Sequence, residues 1–306
     1  MGTAQYETIR DIKAIGDRVD FVAHYAPSEN IALGMNVEAR WKLGEYGSGD
    51  FAKEIGAVNV LSPGFSDTGA FLRELWGEYK EDTFVVRAGI INSNSFIDRS
   101  YYNSYAKFFM SHATASHSYG QVPLSSLGVG LSYKKQHYYL SGVLSDATLK
   151  IDAAVDDIVK GNLNLYSGLE AGYTPNNDVY FINIWRKVNK NGLLSYGSYL
   201  SSNTEIDTHN KLFVKLGTSR NTKIKNRFSF GWSYDGLFSK DGLLLAAFEA
   251  SQVAQTEKFQ KSYEILYRYK LAYEAEVSAD LQVVQDTIDR DEDLAIVPGV
   301  RLRIIF

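Results

Sequence analysis

In the stretch NIALGMNVEARWKLG the odd positions Ile31, Leu33, Met35, Val37, Ala39, Trp41 and Leu43 are all apolar, while the even positions include Asn36, Glu38, Arg40 and Lys42. A period of two puts the apolar set on one face of a strand; a helix would scatter it around its circumference. DRVDFVAHY repeats the split, with Val19, Phe21, Ala23 and Tyr25 against Arg18, Asp20 and His24. NRFSFGWSY sets Phe228, Phe230, Trp232 and Tyr234 against Arg227, Ser229, Gly231 and Ser233. In SYEILYRYK, Tyr263, Ile265, Tyr267 and Tyr269 oppose Glu264, Arg268 and Lys270, and EVSADLQVV divides Val277, Ala279, Leu281 and Val283 from Glu276, Ser278, Asp280 and Gln282. One face is apolar and aromatic throughout; the other is polar and often charged.

Taken from the C-terminal end, the pattern predicts strands at 295–306, 274–285, 261–271, 240–250, 226–237, 210–219, 195–205, 178–188, 161–174, 137–146, 126–135, 83–92, 71–81, 30–43, 17–26 and 4–13. That is sixteen, an even number, as a single-chain barrel of a bacterial outer membrane requires. The segments 195–205 and 4–13 carry the weakest pattern and leave fourteen or eighteen open. No helical pattern is present to cover the apolar faces, so the predicted fold class is all-β: a transmembrane antiparallel barrel, apolar side chains toward lipid and polar ones lining a lumen. Connections alternate in length, which tests this independently. Ala26–Asn30, Glu81–Thr83, Lys135–His137, Thr174–Asp178, Asp207–Asn210, Leu237–Asp241 and Ala272–Glu274 are short, whereas Gly44–Ala70, Ile91–Ser125 and Asp146–Gly161 are long. Short periplasmic turns and longer outer loops give this parity and put both termini on the periplasmic side. Residues 4–306 are expected to form one barrel domain after a processed or appended stretch 1–3, and the segment Ile91–Ser125, the third outer loop, is too long for a passive hairpin.

Composition narrows the classes. Hydrophobic residues make up 45% and aromatics 13%, with 21 tyrosines and 25 glycines against 5 prolines, a strand-and-turn balance. A net charge of −4 offers no basic stripe for nucleic acid. With no cysteine, disulfides, thiolate metal sites and cysteine nucleophiles are excluded. The longest apolar run, Leu243 to Phe248, is far short of the roughly 20 residues of a membrane helix. MGTAQYET has neither a basic nor an apolar signal region, so an exported chain would have lost its signal peptide.

Beyond the alternation, the residues from about Phe71 to Phe306 resemble the carbohydrate-selective porins of the OprB type. FLRELWGEYKEDTFVVRAGIINSNSF is similar to that family's strand, turn and strand, with a Leu-Trp-x-Glu core and an Arg-Ala-Gly strand end. VPLSSLGVGLSY resembles its return to the barrel after the constriction loop, and SYEILYRYKLAYEAEVSADLQVVQ with VPGVRLRIIF resembles its closing strands. The chain is compact for that family, which implies trimmed loops, and its first 70 residues match only in strand pattern.

A porin's chemistry is a filter of charged and polar side chains at a narrow point. Glu74, Trp76 and Glu78 share one face of the predicted 71–81 strand, and Val85, Arg87 and Gly89 share the inward face of 83–92. An arginine facing lipid at mid-depth costs about 2–4 kcal/mol, so Arg87 is expected inward, within reach of Glu74 or Glu78 across the hairpin. Two readings stay open there: an eyelet offering donors and acceptors to sugar hydroxyls, or an ion-pair ladder that only neutralises the wall. The resemblance adds weight to the first. Glu38, Arg40, Lys42, Glu170, Arg268, Asp280, Arg301 and Arg303 are expected to line the lumen, individually more often ordinary wall charge than selectivity determinants. Within the constriction loop, Asp98, Arg99, Tyr101, Tyr102, Lys107, His112, His117 and Gln121 offer aromatic faces and polar groups suited to sugar rings, while Phe108 and Phe109 read as packing.

Other motifs dissolve. GSGDFA at 47–52 lacks the strand-and-helix context of a dinucleotide site. DRDED at 289–293 lacks the glycine and the twelfth-position glutamate of a calcium loop. His112 and His117, five apart, make no helical metal pair, and there is no Gly-x-Ser-x-Gly elbow, so neither metal, cofactor nor catalysis is expected. The expected function is passive diffusion of small hydrophilic solutes, favouring carbohydrates, through the outer membrane of a Gram-negative bacterium. A general or anion-leaning porin is the alternative; a barrel enzyme such as a lipid hydrolase, and a soluble β-sandwich binding module, are the readings from other classes. Expected partners are small sugars, outer-membrane lipid and lipopolysaccharide, a homotrimer as one assembly state, and the barrel-assembly machinery. That machinery reads a final aromatic such as Phe306 in VPGVRLRIIF, where Pro298, Val300, Leu302 and Ile304 face lipid and Arg301 and Arg303 the lumen.

Overall fold

Each strand of the alternating pattern pairs with the next, and the last pairs with the first. A computed structural model describes residues 1–9, 12–59, 67–102, 108–111, 114, 117–123, 125–147, 164–188, 191–272, 274–288 and 293–305. The strands are β1 Gly2–Ile9, β2 Ile12–Tyr25, β3 Ile31–Lys42, β4 Gly69–Lys80, β5 Phe84–Ile91, β6 Ser126–Lys135, β7 Tyr138–Asp146, β8 Leu165–Tyr173, β9 Val179–Val188, β10 Leu194–Glu205, β11 Asn210–Arg220, β12 Ile224–Asp235, β13 Gly242–Val253, β14 Phe259–Ala272, β15 Ala275–Gln285 and β16 Leu294–Ile304. They form one closed antiparallel barrel of sixteen strands. Among the described residues two short α-helices, α1 Ser48–Glu54 and α2 His117–Gly120, lie in the connections. Among the described residues no helix is long and apolar enough to cross a membrane, which has no bearing on crossing by strands.

The closing seam explains the order of the chain's last strand. Gly2 pairs with Ile304, Thr3 with Arg303, Gln5 with Arg301 and Glu7 with Gly299. With β15 on its other side, β16 has no free edge, so its backbone groups need no solvent. Both termini lie at one end of the barrel, the end that carries the short turns 26–30, 81–83, 136–137 and 174–178.

Burial reverses that of a soluble protein. Phe21 (62% exposed), Tyr25, Leu33, Leu140, Ile182, Ile265, Ile296 and Val300 point outward, while Glu38, Asn183, Asn203, Ser229, Glu249, Glu264 and Gln282 are buried inside the ring. The terminal strand shows the rule at its cleanest: Leu302 is 40% exposed and its neighbour Arg301 is 1%. Phe306 lies outside the described residues.

The first hairpin corrects the predicted boundaries. Ile9 pairs with Ile12, so β2 begins at Ile12 and not at 17. Gly16 lies inside β2, paired with Gln5 on one side and Lys42 on the other. The weakly patterned 195–205 segment is the serine-rich β10, paired along its length with β9 and β11.

Apolar residues are buried where connections meet the wall. One cluster joins Phe96, Ile97, Tyr119 and Val122 to Tyr139, Val143, Tyr166, Phe181, Trp185 and Tyr199. A second joins Phe51 and Ile55 of α1 to Ala14, Val284, Ala295 and Val297, and a third joins Tyr102, Phe109 and Met110 to Phe213, Leu243, Leu245 and Leu266.

Candidate functional site

On the inner face of β2, β3 and β4, three arginines converge on one fully buried carboxylate. Glu38 accepts from Arg40 and Arg73, and Arg18 Nη2 lies 2.9 Å from its Oε2. Arg18 also binds Asp20 through both Nε (2.7 Å) and Nη2 (2.6 Å). Strict alternation would aim Arg73 at lipid, because Leu75, Gly77 and Tyr79 on the same parity face outward. A β-bulge prevents it: the register steps from Asn36 opposite Glu74 to Val37 opposite Leu72, leaving Arg73 as the extra residue, turned inward. Glu38 and Arg40 lie on the polar face that the alternation predicts; Arg73 does not, since a bulge has no signature in the hydrophobic pattern. Arg18 and Asp20 were legible on the polar face of their strand but were not singled out. Lys42 sits at the strand end, where its Nζ donates to the Glu45 carbonyl (3.0 Å).

Next round the wall, Arg87 and Glu78 are cross-strand partners. Glu78 Oε2 accepts from Arg87 Nη2 (2.7 Å) and Nε (3.0 Å). The guanidinium lies 3.8 Å above the centre of the Trp76 ring, and Trp76 Nε1 donates to Glu74 Oε2 at 3.2 Å. The predicted group of Arg87, Glu74, Glu78 and Trp76 is therefore contiguous, with the indole as its platform. Gly34 on β3 makes room for that ring, since a Cβ there would collide with it.

The connection 92–125 contributes the next layer. The Asp98 N–H donates to Glu170 Oε2 (2.5 Å), and Glu170 also accepts from Tyr139 Oη (2.8 Å) and Asn183 Nδ2 (3.2 Å). Arg99 Nη2 donates to Ser132 Oγ (2.7 Å) and Ser141 Oγ (2.8 Å), with its guanidinium 4.6 Å from the Tyr139 ring centre. Ser100 Oγ donates to Asn203 Oδ1 (3.0 Å), Tyr102 Oη shares a hydrogen bond with Ser233 Oγ (2.7 Å), and Tyr101 lies 5.9 Å from Lys211 Nζ. Further along, Glu264 accepts from the Met110 N–H (2.5 Å), the Ser111 N–H (3.3 Å) and Thr114 Oγ1 (2.7 Å). Tyr119 Oη donates to Ser229 Oγ (2.9 Å), and Tyr166 Oη to the Gly120 carbonyl (2.9 Å). These partners sit on β6 through β14, all on the buried face. Burial pushes the Tyr102 hydroxyl up to about 12 and the Tyr119 hydroxyl higher still, so both remain protonated over any ordinary pH. Phe108 packs edge-on against Tyr102, and Phe109 lies in the third apolar cluster, both as packing residues. Lys107 and His112 lie outside the described residues.

The last predicted group surrounds the seam. Glu276 Oε2 binds Arg303 Nη1 at 2.7 Å and faces Arg268 Nη1 at 3.9 Å. Arg301 Nη2 donates to Ser278 Oγ (3.2 Å), and Gln282 Nε2 donates to Asp280 Oδ2 (2.7 Å) and Glu7 Oε1 (3.4 Å). Arg303 and Arg268 thus meet the carboxylate of Glu276, while Arg301, Asp280 and Glu7, the last from β1, are held by the neutral side chains Ser278 and Gln282.

No protein-family model and no curated protein matches the chain. Solved structures do. The low-pH structure of Pseudomonas putida OprB aligns over 100% of this chain and 90% of its own, with TM-score 0.65 and 12% identity. A triple mutant of Rhodopseudomonas blastica porin aligns over 98% and 96%, with TM-score 0.59 and 11% identity. A structure described under asymmetric conductivity of engineered proteins aligns over 100% and 98%, with TM-score 0.60 and 12% identity. At such identities the likeness is one of fold: the closed antiparallel ring of sixteen strands in this chain matches the fold of porin structures.

Proposed function

We propose that the chain is an outer-membrane porin through which small hydrophilic solutes diffuse passively, with carbohydrates favoured. The observation that carries the reading is the inversion of burial: an apolar exterior around an interior of arginines, carboxylates, amides and hydroxyls. A lipid-spanning barrel needs that arrangement and a soluble one does not. In this reading the connection 92–125 folds into the lumen as the constriction, with its backbone held by the carboxylates Glu170 and Glu264 on β8 and β14. The sugar preference rests on the donors and acceptors that Arg87, Glu78 and Glu74 present around the Trp76 ring, and on Arg99 and Tyr101 of the 92–125 connection, which add a guanidinium and an aromatic ring to the same interior. The resemblance to OprB-type porins points the same way.

Unitary ion current across a planar bilayer, recorded as maltose or glucose is added, tests the assignment. Saturable reduction of current is expected; current unaffected over a wide sugar range would remove the carbohydrate preference and leave a general channel. An anion-leaning channel is the second reading, favoured by Arg18, Arg40 and Arg73 outnumbering Glu38 and Asp20 on one stretch of wall. Reversal potentials in a salt gradient separate the two.

A further inference from the structure

We propose that an outward-facing row on β8–β11 binds the phosphate of lipopolysaccharide, held between Arg186 and Arg220 on either side of Tyr196. This rests on the porin reading, which makes lipopolysaccharide the lipid around the end of the barrel opposite the termini. Cross-strand pairing sets the row: Tyr196 of β10 stands opposite Arg186 of β9 on one side and Arg220 of β11 on the other, and Ser167 of β8 stands opposite Arg186. Arg186, Tyr196 and Arg220 are exposed on the face they share with Ile182, Ile184, Leu200 and Leu216, while Trp185, Ser195 and Tyr199 between them are buried. Arg220 is the last residue of β11. Arg186 is not beyond the apolar surface, because the exposed Leu194 and its partner Val188 lie one step further out.

An arginine on the outer face is costly at mid-depth and nearly neutral at the interface, where lipid headgroups supply counter-charge. The protein supplies none here. Arg186 Nε donates to the neutral Ser167 Oγ (3.1 Å), and among the described residues neither guanidinium has a carboxylate within ion-pair distance. The lumen's arginines differ: Glu38 meets Arg18, Arg40 and Arg73, Glu78 meets Arg87, and Glu276 meets Arg303. From Val179 to Tyr234 the only acidic residues are Glu205 and Asp207, both at the far end of β10, whereas the exposed Lys223 adds positive charge just beyond Arg220. Two strand spacings of about 4.8 Å put the Arg186 and Arg220 backbones roughly 10 Å apart, so their forked guanidiniums can close on one phosphate from opposite sides. Ser167 engages Arg186 through Nε and leaves both terminal nitrogens for that phosphate. Tyr196 between them is the aromatic that marks headgroup level in such barrels.

The test uses the full chain folded in non-ionic detergent, with heat-modifiable gel mobility confirming the barrel and native mass spectrometry counting bound lipid. Wild type, Arg186→Gln with Arg220→Gln, and a control pair exposed at the other end of the barrel, Lys80→Gln with Lys135→Gln, are titrated with diphosphorylated lipid A, its dephosphorylated counterpart, phosphatidylglycerol and inorganic phosphate. The wild type should bind phosphorylated lipid A more tightly than the other three; the arginine pair should weaken it by about tenfold or more, and the control pair should leave it unchanged. An arginine pair that binds lipid A as the wild type does, or equal binding of the dephosphorylated form, would overturn the site. Equal binding of phosphatidylglycerol or of free phosphate would overturn its assignment to lipopolysaccharide. Ion current across planar bilayers keeps the two readings apart: a wild type that conducts without preferring lipid A refutes the site and leaves the porin reading, and one that passes no current contradicts the porin reading whatever it binds. Should the paired variant not fold, Arg186→Gln and Arg220→Gln are titrated singly, and wild-type affinity in both would equally overturn the site.

Discussion

Glu38 is the residue on which most charge depends. With no exposure of its own, it meets Arg18, Arg40 and Arg73. Removing one partner from a buried ion pair costs about 3–5 kcal/mol, because the remaining charges lose their compensation in a poor solvent. Glu38→Gln should therefore lower the unfolding midpoint in urea and, by leaving three guanidiniums on the wall, move the reversal potential toward anions. Arg87→Gln should move it the opposite way. Equal reversal potentials for the two variants would separate these residues from the ion path. Arg73 shows the limit of reading residues by parity: its place beside Glu38 depends on a bulge that the pattern of apolar positions does not encode.

Elements follow from the period-two rule wherever both faces have distinct surroundings. Leu302 on β16 faces out and Arg301 in, so Leu302→Arg should destabilise the barrel in lipid vesicles by about 2–4 kcal/mol near mid-depth and by less near an interface. Unfolding in urea checks the sign and size. The 92–125 connection brings a pH term. Tyr102 has a folded-state value of about 12 against an ordinary 10.0, from burial first. A raised value means that the folded state holds the proton more tightly. The associated stability is complete below about pH 10 and is lost as pH rises toward 12. Tyr102→Phe should remove that part of the alkaline decline and, with the bond to Ser233 gone, cost about 0.5–1.5 kcal/mol at neutral pH. An alkaline decline of unchanged size in the variant would assign it to other groups.

For the whole molecule, closure converts sixteen marginal strands into one cooperative ring, and the sequence discloses most of it. Strand positions and terminal placement were legible because lipid on one side and a polar lumen on the other impose the same alternation on every strand. The first hairpin was not, because the alternation over 4–13 is weak, and residues 14–16, predicted between strands, pair within β2. Nor was the path of the connections, since Glu264 meeting Met110, or Arg227 meeting Asn59, joins residues more than 150 positions apart. The predicted eyelet residues Arg87, Glu78, Glu74 and Trp76 do come together, because neighbouring antiparallel strands fix their register. The porin reading requires passage of solute. Proteoliposomes holding the purified chain and challenged with a series of mono- and disaccharides should swell, fastest with the smallest sugars and more slowly with each larger one; vesicles that swell no faster than protein-free controls with any sugar would contradict it.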